Sequence, residues 1–189
     1  RHTRLRTVTG VQTYALPILH GLCFTHPCLV RFLFSAGSFR SYAAVVTISE
    51  SRGGRGGDWG PDGTIYFNYG PSYPLMRVPS SGGTPQPATT LEAGEITQRW
   101  PQVLPDGRAV IFTVNTSSSL RFDDAYLVAQ PLPTGERRTI RKNASFGRYL
   151  PTGHLAYAHE GTLFAVPFDL AKLEVTDVTL VTPASRPRP

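Results

Sequence analysis

Only two of the 189 residues are cysteine, Cys23 and Cys28, only one is methionine, and only 17% are charged. Two cysteines confined to the first quarter of the chain give neither a disulfide framework nor the spacing of a structural zinc site. A repeat region without cysteine is compatible with an oxidising, extracytoplasmic space. Long apolar runs are missing as well. The stretch 28–36 is apolar but holds Arg31 and is far too short to cross a bilayer, while Pro17 and His20 interrupt the run 14–24 and no small-residue cleavage site follows it. Neither a membrane span nor a signal peptide is therefore expected. Helical periodicity is absent after residue 53, whereas 18 glycines and 17 prolines punctuate the chain. That combination predicts an all-β architecture.

The net charge of +6 is unevenly spread. Residues 1–52 hold six arginines (Arg1, Arg4, Arg6, Arg31, Arg40, Arg52) against Glu50, a net of +5, which leaves 13 basic and 12 acidic side chains for residues 53–189. No basic face is evident in that longer part, so nucleic acid is not an expected partner. The glycine-rich stretch 52–57 is not followed by Lys-Ser/Thr or by a helical pattern, and reads as a flexible lead-in to a strand, not as a phosphate loop.

What the chain does have is a repeat. A tight-turn triplet occurs as Pro61, Asp62, Gly63, as Pro105, Asp106, Gly107, and as Pro151, Thr152, Gly153, its prolines 44 and 46 residues apart. One four-stranded propeller blade takes about 40 to 50 residues. Proline presets the turn, aspartate accepts local backbone hydrogen bonds, and glycine supplies left-handed geometry, which together make hairpin chemistry. Short β-branched and aromatic runs flank each triplet. The first unit has expected strands at 64–67, 75–78 and 84–89. The second has them at 100–104, 109–114, 126–131 and 137–140. The third has them at 146–150, 155–158, 162–168 and 178–182, with a brief helical turn or extended loop at 170–176.

The expected fold is an all-β, β-propeller fragment of about three four-stranded antiparallel blades with a non-propeller N-terminal segment. The segment is 1–52, the partial propeller 53–183 with blades at about 53–90, 97–141 and 143–183, and the tail 184–189. Closed propellers use about four to eight blades. The chain is therefore expected to be part of a larger ring and, isolated, to self-associate or dissolve poorly.

Three stretches, 59–67 (WGPDGTIYF), 77–83 (RVPSSGG) and 99–107 (RWPQVLPDG), resemble bacterial propellers of the Tol-B-type, WD-repeat-like class. The tail stretches 161–169 (GTLFAVPFD) and 173–176 (LEVT) fit the same subgroup. In that subgroup the propeller is often the C-terminal sensor region of a membrane-anchored bacterial serine/threonine protein kinase. None of the kinase motifs stands in this chain. Residues 8–18 (VTGVQTYALPI) resemble the translated read-through of a sequencing adapter, which has cysteine where this chain has Tyr14. On that resemblance residues 1–18 are expected to be an assembly artefact, with 19–52 suspect beside them.

Candidate site residues are few. Asp62 and Asp106 could ligate calcium, but a turn role accounts for them. His154 and His159 would face opposite sides of one strand and share no metal without a bend. Asp123, Asp124 and Glu136 could pair for acid/base work, or be solvated loop charge beside Arg121. Trp59 and Trp100 are read as equivalent aromatics before the triplet, packing between blades or stacking a ligand. Tyr66, Tyr69 and Tyr73 with Arg99 and Arg121 could line a binding surface on loops. Asn115 and Asn143 open Asn-x-Ser/Thr sequons. No catalytic, metal or cofactor site is expected. The expected function is a non-catalytic binding or sensing module for a protein, peptide or glycan. Alternatives are the gating propeller of a prolyl-oligopeptidase-like peptidase, whose Gly-x-Ser-x-Gly elbow this chain lacks, and a stand-alone periplasmic scaffold.

Overall fold

The computed structural model describes residues 28–29, 47–117 and 121–176. The adapter-like stretch 8–18, the expected strand 178–182 and the tail 184–189 lie outside the described residues. β1 (Cys28–Leu29) and β2 (Glu50–Ser51) form an antiparallel pair. Blade 1 follows as β3 (Gly57–Trp59), β4 (Thr64–Asn68), β5 (Leu75–Pro79) and β6 (Gln86–Pro87). Blade 2 is β7 (Thr97–Val103), β8 (Ala109–Asn115), β9 (Tyr126–Pro131) and β10 (Arg138–Lys142). Blade 3 is β11 (Ser145–Leu150), β12 (His154–His159), β13 (Thr162–Asp169) and β14 (Glu174–Val175). In each four-stranded sheet the strands pair antiparallel in chain order. Three consecutive up-and-down sheets make a partial β-propeller, and no helix occurs among the described residues.

The triplets close the first hairpin of each blade. The glycine N–H donates to the carbonyl three residues back, Gly63 to Gly60 at 3.0 Å, Gly107 to Leu104 at 2.8 Å and Gly153 to Leu150 at 3.0 Å. Gly63, Gly107 and Gly153 have φ of 81°, 70° and 79°, a region glycine enters without steric cost. Asp62 Oδ1 accepts from Thr64 N and Asp106 Oδ1 from Arg108 N, each at 3.0 Å. Thr152 has no carboxylate to repeat this, and its oxygens instead face His154 Nδ1 at 3.0 and 3.2 Å.

Two apolar interfaces join the blades. Tyr66 and Leu75 of blade 1 cluster with Val110, Phe112, Val114 and Val128 of blade 2. On the other face of blade 2, Ile111, Leu127 and Ala129 cluster with Leu155, Tyr157, Val166 and Phe168 of blade 3. Strand alternation dictates this, since neighbours along a strand point to opposite faces. The outer face of blade 1, Ile65, Phe67 and Val78, is met by Ile48. Arg52 N donates to Tyr69 O at 2.7 Å, and the buried Ser51 Oγ donates to the same carbonyl at 3.0 Å.

Several details differ from expectation, among them a strand ahead of the first triplet, β3, whose residues Gly57–Trp59 pair with Phe67, Tyr66 and Ile65. β7 starts at Thr97, ahead of the expected 100, because a bulge between Arg99 and Gln102 lets the ladder continue past Trp100. β6 covers only Gln86–Pro87, since prolines at 85 and 87 cannot donate to the ladder. The fourth strand of blade 3 begins within the segment expected as loop: Asp169 Oδ1 accepts from Ala171 N and Lys172 N, reversing the chain so that Glu174–Val175 pairs with Asp169 and Phe168. No described helix is long and apolar enough to cross a membrane.

Candidate ligand-binding site

Because the strands alternate in direction, the starts of β3, β7 and β11 lie at one end of the blades with the loops that follow β4, β8 and β12. The triplet turns lie at the other end. Counting back from the triplet proline aligns the inner strands residue by residue. Six before it stand Arg55, Arg99 and Ser145; five before it, Gly56, Trp100 and Phe146; three before it, Asp58, Gln102 and Arg148. Gly56, Trp100 and Phe146 share a positive φ, 92°, 51° and 55°. Trp100 and Phe146 sit in register shifts of β7 and β11, where a bulge re-aims side chains. Trp59 is therefore not the counterpart of Trp100. It stands two residues before its triplet and, like Ile48, Tyr69 and Met76, packs against the Ile65, Phe67 and Val78 cluster on the outer face of blade 1.

The bulges gather a mixed cluster. The Trp100 ring lies 4.9 Å from Phe122, on the loop after β8, and 5.6 Å from Phe146, edge to face. The Arg99 guanidinium covers Phe122 at 4.9 Å, and that of Arg148 covers Phe146 at 4.8 Å, both within cation–π range. Phe146 remains 46% exposed. Gly56 admits Trp100, since a Cβ there would stand 3.1 Å from the Trp100 Cα.

Beneath this surface the aligned polar residues clasp neighbouring blades. Asp58 Oδ2 accepts from Val103 N at 2.7 Å. One blade on, Gln102 Oε1 accepts from Tyr149 N at 2.6 Å and its Nε2 donates to Tyr149 O at 3.1 Å. Arg148 Nη1 reaches back to the carbonyls of Trp100 and Pro101 at 3.0 and 3.1 Å. Asn68, buried at the end of β4, accepts from Arg55 N at 3.0 Å and donates to Gln98 O at 2.7 Å, fixing the backbone beside both Arg55 and Arg99.

Burial raises the Asp58 pKa, and the Val103 and Trp59 amides and the Arg148 charge oppose this without cancelling it. Burial likewise lowers that of Arg148, with Asp58 opposing. Arg99 is lowered by burial and further by the like charge of Arg55. Neither Arg55 nor Arg99 forms an ion pair among the described residues.

A second polar cluster holds the linker between blades 1 and 2. Glu95, its side chain 1% exposed, takes hydrogen bonds from Arg137, from Tyr126 Oη at 2.8 Å and from Gln98 Nε2 at 3.0 Å. Burial would raise its pKa, but these donors and the Glu92 amide together hold it below the ordinary value. Burial and the Glu95 hydrogen bond push Tyr126 up to about 12. A cavity of about 270 Å³ beside them is lined by Tyr126, Arg137 and Asp124, among others.

The remaining candidates are dispersed. Asp62 and Asp106 sit in the triplet turns, with second oxygens on Thr64 Oγ1 and Arg108 Nε. His154 and His159 occupy opposite ends of β12, and no group of three or more potential metal ligands occurs among the described residues. Asp124 lines the cavity, whereas Asp123 is half-buried and Glu136 exposed outside its lining. Tyr66 is core, while Tyr69 and Tyr73 meet edge to face at 5.1 Å on the loop after β4. Arg121 is exposed on the loop after β8, next to Phe122. Asn115 is buried and bonded to Arg121 O and Ser117 N, and exposed Asn143 lines the cavity. Arg55, Asp58, Asn68, Gln102, Phe122, Phe146 and Arg148 were not singled out by sequence. The signal for five of them was the triplet offset, applied to the whole inner strand and not to the tryptophans alone.

No protein-family model matches this chain, and no curated protein matches it. Among solved structures, an oligogalacturonate lyase in complex with manganese is similar over 66% of this chain and 39% of its own, with 16% identity and a TM-score of 0.49. The chain thus spans well under half the length of that protein. Its own sheets, their order and their repeated turns establish the architecture as three propeller-type blades.

Proposed function

We propose that this chain is a non-catalytic binding module whose inner-strand ends present stacked arginines and aromatic rings to a ligand. It serves as the extracytoplasmic sensor part of a larger bacterial signalling protein linked to a serine/threonine kinase. The observation that carries the binding reading is the convergence of Arg99, Arg148, Trp100, Phe122 and half-exposed Phe146 at the loop-bearing end of the blades. Aromatic and arginine side chains are those that dominate binding energies at protein surfaces. Four carboxylates have structural tasks: Asp62 and Asp106 hold turns, Asp58 holds Val103 N, and Glu95 is bound by Arg137. The kinase link rests on the resemblance of stretches 59–67, 77–83 and 99–107.

An array of peptides and glycans probed with the wild type and with Phe146→Ala tests the binding reading. The expected result is a ligand that is retained unaltered and loses about tenfold or more in affinity on Phe146→Ala, at unchanged melting temperature. Chemical turnover of the ligand, or no array binding at all, would overturn it. Sequencing the genomic locus past both ends tests the signalling link, which a reading frame without a kinase and a membrane span would remove.

A further inference from the structure

Two arginines of the inner-strand ends, Arg55 and Arg99, have a charge problem that the described chain does not solve. Arg99 is half-buried, its Nε donates to Thr97 Oγ1 at 3.2 Å, and its guanidinium lies over the Phe122 ring. Arg55, its counterpart in blade 1, bears on it as a like charge, and neither has a carboxylate partner among the described residues. Arg148 commits Nη1 to carbonyls and rests its plane on Phe146. The ring contacts fix the Arg99 and Arg148 guanidinium groups, Arg99 keeps both Nη atoms free of hydrogen-bond partners among the described residues, and a guanidinium edge matches a carboxylate in bidentate geometry.

We propose that Arg55, Arg99 and Arg148 form a carboxylate-binding cradle for an acidic peptide segment, a proposal that rests on the binding-module reading above. A peptide is favoured over a sugar by the aromatic faces. Phe122 and Phe146 each carry a guanidinium over one ring face, so the surface pairs positive charge with apolar contact, as an acidic peptide with interspersed apolar side chains requires. Half-burial strengthens the charge-assisted bonds of Arg99 and Arg148 relative to open solvent, while Arg55 is exposed, and relief of the Arg55–Arg99 repulsion adds to them.

The test uses the full chain and a fluorescein-labelled oligoglutamate peptide, read by anisotropy at low and physiological salt. The peptide binds, an oligoglutamine peptide does not, and Arg55→Gln and Arg99→Gln each weaken binding by about tenfold. Arg108→Gln, an equal loss of charge at the opposite end, leaves it unchanged. Equal losses for Arg108→Gln and Arg99→Gln would reduce the effect to bulk charge and overturn the cradle. Preference for alginate over oligoglutamate would overturn the peptide assignment in favour of an acidic glycan. If an array ligand binds through Phe146 while oligoglutamate does not, the cradle falls and the binding module stands; if nothing binds, both fall.

Discussion

Strands β8 and β12 are counterparts one blade apart, yet β8 is buried at all seven positions while β12 alternates, Leu155 and Tyr157 buried, Ala156 and Ala158 half-exposed. The difference lies in what covers each sheet. Blade 2 is enclosed by blade 1 on one face and blade 3 on the other, whereas among the described residues blade 3 is covered on one face only. The same strand thus reads as a continuous apolar run when sandwiched and as period two when half-covered. Position in the stack, more than strand propensity, decides the burial pattern.

The sharpest way to break this comparison is to cut a large side chain from β8. Phe112 is wholly buried against blade 1, and Phe112→Ala should cost about 3–5 kcal/mol, by loss of transfer energy and by the cavity left behind. Denaturant titration would show it as a fall in midpoint, and a cost below about 1 kcal/mol would mean that blade 2 is not clamped on both faces.

A smaller effect probes the linker between blades 1 and 2. The Glu95 carboxyl has its folded pKa held below its ordinary value of 4.5. It therefore contributes stability above that pH, and the contribution is lost as pH falls through the folded value. Glu95→Gln should cost about 3 kcal/mol at neutral pH, leaving Arg137 with Glu92 alone, and should shrink the difference from wild type in acid. Melting temperatures across pH 3 to 7 check this. A constant gap between the two proteins would assign the loss to packing instead of charge.

The comparison also explains what the sequence could and could not disclose. Triplets, strands and blade spacing were legible because turn chemistry is local: proline, aspartate and glycine act within four residues. The bulges were not, because Trp100 and Phe146 look like ordinary strand aromatics, and only the positive φ shared with Gly56 marks them. Treating Trp59 and Trp100 as equivalent followed from residue type, where offset from the triplet was the better guide. Clasps such as Asp58 to Val103 and Gln102 to Tyr149 span 45 and 47 residues, and nothing in a local reading marks their partners. The short outer strands β6 and β14 depend on edge pairing, to which propensity contributes little.

The smallest effect on stability falls on the open face of blade 3. Cross-strand pairs Ala158–Leu163 and Ala156–Ala165 place small apolar side chains on one side, with Leu163 74% exposed. The opposite pairs, Leu155–Val166 and Tyr157–Phe164, carry the bulk of the interface with blade 2. A sheet face of this kind favours burial against a second apolar face, and two isolated chains should meet through it. Leu163→Asp should leave the denaturation midpoint within about 0.5 kcal/mol of wild type, because little native contact is lost. It should at the same time shift sedimentation velocity profiles from assemblies toward monomer, since a carboxylate on that face, beside the β12–β13 turn, must shed water on every association. If assembly persists unchanged, the contact between copies runs through another surface, such as the edge strands. If instead Leu163→Asp unfolds the protein, then Leu163 is covered in the folded chain and the contrast between the two blades is lost.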